Sequence, residues 1–484
     1  MAMFKKIGVG LVFVCLTILS PSVGNTFWEN GELPSHREWE SLKRSFDDPR
    51  PFLKGPGGDP KTFVPPEILK KVTFDVTEMK KRWSDTIGFK APDITGKIHP
   101  EIKPGIYNYA DKEKFPGLKS LIIPNLYKKF NPGGPPHVGN FPEVKIIPTR
   151  QYYWALPIAE ATRKNEGLAK LDDQGYFIQD SYIAGYPFPK PSGKFKAQQI
   201  IYNWYKKYLD GENNAVLVKN FGWNKNLKMD WDSKSFALQI RFAGRVLMDP
   251  LGHLDNRAKK QGEDRQFVTK FKTPQDSAGN VQSILYYGDA KKKNATYVYF
   301  NLIRRLRKFS SEDTQDPFPG YDAIFDDDHG FGQKLRPDLY PYDYKVIDER
   351  EFLFPSYSLD GSSYLDSNRG YELHNIEWER RPVYVVELRQ LDPNYIYGKR
   401  VLYFDKETFL LLFAEAYDQK GRLYRDYLNT FAFLPEQGLL YWWSALPKDH
   451  IDLHSSYAIF WMHPYAWWVG RDQTGIGQLM RLGR

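Results

Sequence analysis

Cysteine is nearly absent: the 484 residues contain one, Cys15. It lies inside an apolar N-terminal run, behind Val14, where lipoprotein processing would need a small residue. If a leader is removed near Gly24, no thiol remains, and disulfides and thiolate chemistry are excluded even in an oxidising compartment. Long apolar runs are lacking too. The stretch from Ile7 to Leu19 falls short of the ~20 residues that span a bilayer as a helix, and no later segment is longer. The chain also has no Walker loop, Rossmann glycine signature, Gly-x-Ser-x-Gly elbow or His-Glu-x-x-His. Catalysis has no visible home, and no cofactor is expected. No repeat of fixed period occurs.

Aromatic residues are plentiful, at 16%, with 32 Tyr, 32 Phe and 13 Trp. Together with 34 Pro and 37 Gly they suit a turn-rich β protein. The 41% hydrophobic content supports a large core. The length allows two or three domains of roughly 100–200 residues, or one large β unit. The formal charge of +9 comes from 68 basic and 59 acidic residues spread along the chain. Such a surface suits anionic lipid headgroups or nucleic acid, or is simply solvated.

The first residues, "MAMFKKIGVGLVFVCLTILSPSVGNT", place Lys5 and Lys6 before the apolar run and Ser22 and Gly24 after it. This predicts a secretory signal peptide over residues 1–24, with an uncleaved anchor as the alternative. Export argues against a nucleic-acid partner. Residues 25–148 form an irregular arm rich in Pro, Gly and Lys, with short helices expected at 38–46 and 66–89. Residues 149–484 form the main domain. It opens with helices in "LPIAEATRKNEGLAKL" and in "SGKFKAQQIIYNWYKKYLDG", the latter capped by Ser192 and ended by Gly211. From Ala215 to Tyr441 the period switches to two. Nine apolar runs separated by Gly, Asn and Asp clusters predict an antiparallel meander.

One hairpin, "GKRVLYFDKETFLLLFAEAYDQKG", is apolar on both faces. A surface hairpin needs only one such face. With Lys406 and Glu407 as the turn, Leu402 opposes Leu411, Phe404 opposes Phe409 and Tyr403 opposes Leu410. A turn at 405–408 changes these pairs. Arg400 and Glu415 would then close the first face as a polar rim. Leaving half a dozen such side chains in water forfeits roughly 1.5–3 kcal/mol each, against a total stability of about 5–15 kcal/mol. The second face must be covered by protein, lipid or a partner.

Four stretches resemble the family known as domain of unknown function 1329, Gram-negative secreted proteins similar to periplasmic lipoprotein-sorting carriers. They are "GYPFPKPSG" (185–193), "RRLRKFSSEDTQDPFPGYDAIFDDDHGF" (304–331), "YDYKVIDEREFLFPSYS" (342–358), and "WERRPVYVVELRQLDPNYIYGKRVLYFDKETF" continuing into "YDQKGRLYR". "TGIGQLMRLGR" is a weaker echo. The likeness extends from Ile102 to the end. Pro355, Ser356 and Tyr357 stand where the family pattern has Pro-Tyr-Asn. The resemblance implies a mainly β (α+β) fold: a strongly curved antiparallel sheet, an open half-barrel, with helices against its concave face. It also implies periplasmic residence, possible peripheral contact with the outer membrane, and work beside a lipid or hydrophobe export system. It implies no catalytic residue.

Other constellations have two readings each. "DDDHG" (326–330) offers carboxylates suited to Ca²⁺ or Mg²⁺ but lacks the calcium-loop spacing, so a solvated acidic turn paired with Arg304, Arg305 and Arg307 competes. Those arginines, after the apolar "TYVYFNLI", alternatively bind a lipid headgroup at the mouth of the sheet. "DHIDLH" (449–454) puts His450, Asp452 and His454 on one face if extended, a weak metal candidate or a hydrogen-bonded loop. "YWWSALP" and "YAIFWMHPYAWWVG" hold five tryptophans, Trp467 and Trp468 adjacent, for core filling or for docking to a membrane or protein.

The reading is a periplasmic carrier whose concave face, lined by Tyr384, Val386, Leu402, Phe404, Leu411 and Phe413, holds a lipid, a lipoprotein acyl chain or another hydrophobe. Release would follow docking to an outer-membrane or transporter partner. The alternatives are a non-catalytic adaptor that carries nothing and, third, a metal-dependent hydrolase.

Overall fold

The computed structural model describes residues 64–309, 323–327, 342–358 and 376–477 apart from 290 and 468, with 315, 364–366, 372–374 and 479 besides. The predicted signal peptide, the helix at 38–46 and part of the acidic loop lie outside these residues. Sixteen strands join in one sheet. They are β1 (Gly105–Asn108), β2 (Glu143–Ile146), β3 (Asn213–Trp223), β4 (Met229–Arg241), β5 (Glu263–Thr273), β6 (Val281–Tyr287), β7 (Ala295–Phe300) and β8 (Arg305–Phe309). Then follow β9 (Tyr342–Phe354), β10 (Tyr357–Ser358), β11 (Glu377–Gln390), β12 (Lys399–Asp405), β13 (Leu411–Tyr417), β14 (Leu423–Leu434), β15 (Leu439–Asp449) and β16 (Ser455–His463).

Across the sheet the order is β1-β2-β11-β12-β13-β14-β15-β16-β3-β4-β5-β6-β7-β8, with β9 beside β11 and β10 beside β14. The pairs β2/β11 and β10/β14 are parallel. The remainder are antiparallel, as expected for strands joined by short turns. Among the described residues the path has two free ends, so the sheet is open. The protein is mainly β with helices packed on it.

All nine period-two runs are strands. β15 and β16 lie beyond the expected meander, although "LLYWWSALPKD" and "SSYAIFWMH" carry similar alternation. They matter most for topology. The last strand, β16, pairs with β3 from Ser455↔Trp223 to His463↔Ala215 and welds two sequential meanders into one sheet.

Among the helices of the described residues are α1 (Pro66–Lys71), α2 (Val76–Ile87), α3 (Pro116–Leu121), α4 (Pro124–Lys128), α5 (Leu156–Lys164) and α6 (Lys196–Tyr205), which help to cover the sheet. The single helix expected over 66–89 is two. α2 starts where the Asp75 carboxylate accepts the Glu78 amide at 2.7 Å, and stops at Gly88 with φ +91°. α6 does not start from Ser192. It begins at Lys196 without a side-chain cap, and the Ser192 amide instead donates to Gln199 Oε1 at 2.8 Å. It also ends at Tyr205, well before Gly211.

Gly185, in the first of the quoted stretches, has φ +82°, and a Cβ there would sit 2.4 Å from the Thr162 amide nitrogen. Only glycine lets this loop lie against α5. Residues of the arm and of the sheet share one hydrophobic core, including Met79, Trp83, Leu118, Leu126, Trp204, Phe404 and Trp442.

Candidate functional site

The hairpin β12–β13 does not take the register of a Lys406–Glu407 turn; it turns from Asp405 through Thr408, the alternative, and the pairs change. Leu402 pairs with Ala414, Tyr403 with Phe413 and Phe404 with Leu411, with a bulge between the last two pairs. The cause is Asp405. Its Oδ1 accepts the amides of Glu407 (2.7 Å) and Thr408 (3.1 Å), an Asx-turn that lengthens the loop to Leu410. Asp405 is itself held by Arg381 Nε at 2.6 Å, and Arg381 Nη2 reaches Glu407 at 2.7 Å. All three side chains are buried.

This register splits the proposed lining set. Tyr384, Val386, Leu402, Phe404 and Leu411 share one face, and Phe413 points to the other with Tyr403, their rings 6.0 Å apart. All six are buried. Protein covers both faces. On the first, Trp204 of α6 packs 6.4 Å from Phe404 and 6.1 Å from Trp442, and Lys196 Nζ lies 5.2 Å from the Tyr384 ring. On the second, Lys129 Nζ stands 5.8 Å from the Phe413 ring, and Asn125 donates to Glu415 Oε1 at 2.7 Å.

Arg400 and Glu415 do not form a common rim. They lie on opposite faces, because Arg400 pairs with Ala416 and Glu415 with Val401. Arg400 donates to Tyr395 Oη at 2.9 Å, inside a buried network. There Tyr395 donates to Asp326, Tyr397 donates to Asp327 at 2.7 Å, and Arg425 bridges Asp327 (3.0 Å) and Asp449 (3.1 Å). Asp326 and Asp327 are therefore neither solvated nor paired with Arg304, Arg305 or Arg307, which are exposed. Burial raises the Asp327 carboxyl pKa, against the pull of Arg425.

The second face keeps a small cleft that combines apolar walls with a charged end. It is lined by Leu126, Val138, Phe141, Trp378, Leu428 and Leu446, with Lys129 and Lys448 among them, and holds about 10 Å³, room for roughly one water. Lys129 donates to Asp426 Oδ1 at 2.6 Å, and His450 Nε2 lies 2.7 Å from Asp426 Oδ2. Burial opposes the Asp426 charge, yet Lys129 and His450 hold its pKa down to about 2. Lys448 is different. It donates to Ser455 Oγ at 2.7 Å and forms no ion pair with a described residue. Burial, reinforced by repulsion from Lys129, lowers its pKa to about 7. Burial and neighbouring His450 also lower His137, whose ring lies 6.5 Å from that of His450.

His450, Asp452 and His454 are not brought together. They form the turn between β15 and β16, where His450 faces Asp426, His454 Nε2 lies 3.6 Å from Asp230 Oδ2, and Asp452 is exposed. No group of three or more His, Cys, Asp or Glu among the described residues is placed to hold a metal. Trp442 and Trp443 are core residues, and Trp467 is half-buried against the core; Trp468 lies outside the described residues. Sequence reasoning missed Lys448 and Lys129. The only signal was a lysine inside an otherwise apolar strand, "LLYWWSALPKD". No helix among the described residues is long and apolar enough to cross a membrane.

The chain is 23% identical over 336 residues to an uncharacterised protein of Pseudomonas aeruginosa, covering 66% of this chain and 69% of that one. Among solved structures it is similar to a DUF1329 family protein from Desulfovibrio piger, with 14% identity and a TM-score of 0.39, over 55% of this chain and 91% of that one. It is also similar to a LolA superfamily protein from Nitrosomonas europaea, with 14% identity and a TM-score of 0.35, over 58% and 98% of the two chains. The stretch matching the family begins later and stops earlier than the likeness read from the motifs. Residues 129–464 match DUF1329, described as a protein of unknown function, and the chain belongs to that family.

Proposed function

We propose that this chain is an exported, non-enzymatic binding or carrier protein for a hydrophobic molecule with an anionic end, a lipid or an acyl chain. The working unit would be residues 149–484, with the sheet bent toward a half-barrel and the segment 116–141 acting as a displaceable cover. Lys448 carries this reading: a buried lysine beside apolar walls, with no carboxylate of its own. A charge in such a place is retained at a loss of stability, and an incoming carboxylate or phosphate would supply its counter-ion.

Magnitudes permit the exchange. A sixteen-carbon chain gains roughly 0.8 kcal/mol per buried CH₂, about 12 kcal/mol in all. Displacing Leu126, Phe130 and Phe141 forfeits roughly 1.5–3 kcal/mol each. The lining set Tyr384, Val386, Leu402, Phe404 and Leu411 would form the fixed wall behind α6, and Phe413 the wall behind the cover. Gently purified protein, extracted with organic solvent and analysed by mass spectrometry, should yield stoichiometric anionic lipid. A protein free of lipid, which also takes none from mixed micelles, overturns the carrier reading.

A second reading is favoured by one observation, that protein fills both faces of the sheet. It is a periplasmic adaptor that carries nothing and presents its surface to an outer-membrane or export-system partner. The same extraction separates the two.

A further inference from the structure

Antiparallel hairpins put alternate turns at the same end of a sheet. The turns between β3 and β4, β5 and β6, and β7 and β8 lie at one end, and β16 begins there too, with Ser455 opposite Trp223. The turn before β16 joins this rim, as the 3.6 Å approach of His454 to Asp230 at the start of β4 confirms. The β7–β8 turn is the outlier among them. Leu302 is 93% exposed and Ile303 50%, at the tip of a hairpin on the free end of the sheet. Met229 and Ile451 are exposed on the same rim.

Basic side chains flank these aliphatic ones. Arg304, Arg305, Arg307 and Lys308 follow the tip, and Lys225 and Lys228 sit on the β3–β4 turn, all exposed. Against them the rim carries Asp276 and Asp452 in its turns, and Asp230 and Asp232 at the start of β4, the latter paired with Lys219. A scattered exposed Leu needs no explanation. An adjacent Leu and Ile on a narrow tip, followed by three arginines, is a different pattern. Two aliphatic side chains are too little for the core of a protein interface, which takes roughly 800 Å² per partner. They suit shallow insertion at a bilayer surface, where basic residues add attraction to anionic headgroups.

We propose that this rim docks reversibly onto an anionic lipid surface, with Leu302 and Ile303 entering the interface and Arg304, Arg305 and Arg307 holding headgroup phosphates. The proposal stands whether or not the cleft carries a hydrophobe. A polarity-sensitive fluorophore on Leu302→Cys tests it, in a Cys15→Ala background that leaves no other thiol. The control is Leu251→Cys, which is 61% exposed in the connection between β4 and β5 at the opposite end of the sheet.

On vesicles of phosphatidylglycerol and phosphatidylcholine, emission from position 302 should shift to the blue and emission from 251 should not. Replacing Arg304, Arg305 and Arg307 together by Gln should weaken partitioning of the tip roughly 100-fold, since each basic group contributes about fivefold. No shift at 302, an equal shift at both positions, or the same shift on pure phosphatidylcholine overturns the proposal. Because the signal is local to the tip, an apolar N-terminus that tethers the chain to vesicles does not mimic it.

Discussion

Replacing Lys448 by methionine should make this protein more stable, and the gain should depend on pH in a defined way. The native ammonium is buried, hydrogen-bonded only to Ser455 Oγ, and its pKa is lowered to about 7, by burial first and by Lys129 second. In the unfolded chain a lysine titrates near 10.4. The folded state therefore binds fewer protons than the unfolded state between about pH 7 and 10.4, and Lys448 makes stability rise with pH across that window. Below pH 7 both states are protonated and the full penalty applies.

At 1.36 kcal/mol per pKa unit that penalty is roughly 5 kcal/mol. Methionine matches the aliphatic stem and carries no charge, but forfeits about 1 kcal/mol of hydrogen bond to Ser455. The net gain should be about 4 kcal/mol at pH 6, shrinking toward zero by pH 10. The groups facing Lys448 are Lys129 and Asp426, with His450 and His137 nearby, and burial lowers the His137 pKa. Comparing the His137→Gln, His450→Gln chain with and without Lys448→Met isolates the lysine. Denaturant unfolding at pH 6, 8 and 10 measures the difference. A variant less stable than the native chain at pH 6, or a gain that does not vary with pH, would refute the account of Lys448 as an unpaired buried charge. The carrier reading adds a consequence: the stabilised variant should bind anionic amphiphiles at least tenfold more weakly, an estimate of one lost charge-assisted hydrogen bond.

Asp426→Asn should destabilise by about 3–5 kcal/mol at pH 7, because Lys129 is left buried without its partner. That pair's contribution is present above about pH 4 and fades as pH falls toward 2, so the two chains' unfolding midpoints should converge in acid. Arg381→Met should cost about as much by stranding Asp405 and Glu407, and should broaden the amide spectrum around the β12–β13 turn. Gly185→Ala combines a left-handed backbone with a 2.4 Å clash against α5 and should lower stability by at least about 2 kcal/mol in thermal unfolding. Smaller effects at these positions would show that neighbouring segments relax more readily than the contacts suggest.

Alternation at period two was enough to place the nine strands from Ala215 onward, because it reports a local fact: which side chains of one strand share a face. The same local reasoning found the amphipathic stretch of α6 and the hairpin whose two faces both demand cover. It failed where the deciding partner is distant in sequence. The register of β12 and β13 turns on Asp405, held by Arg381 from the neighbouring strand, and so Phe413 faces away from Phe404. Asp326 and Asp327 look like a solvated acidic turn until Tyr395, Tyr397 and Arg425 surround them. Lys448 reads as a strand-end lysine until the segment around Lys129 closes over it. A mainly β chain with more apolar sheet than water can face follows from the order of the residues alone. What covers each face does not, because burial and ion pairing join chain segments hundreds of residues apart.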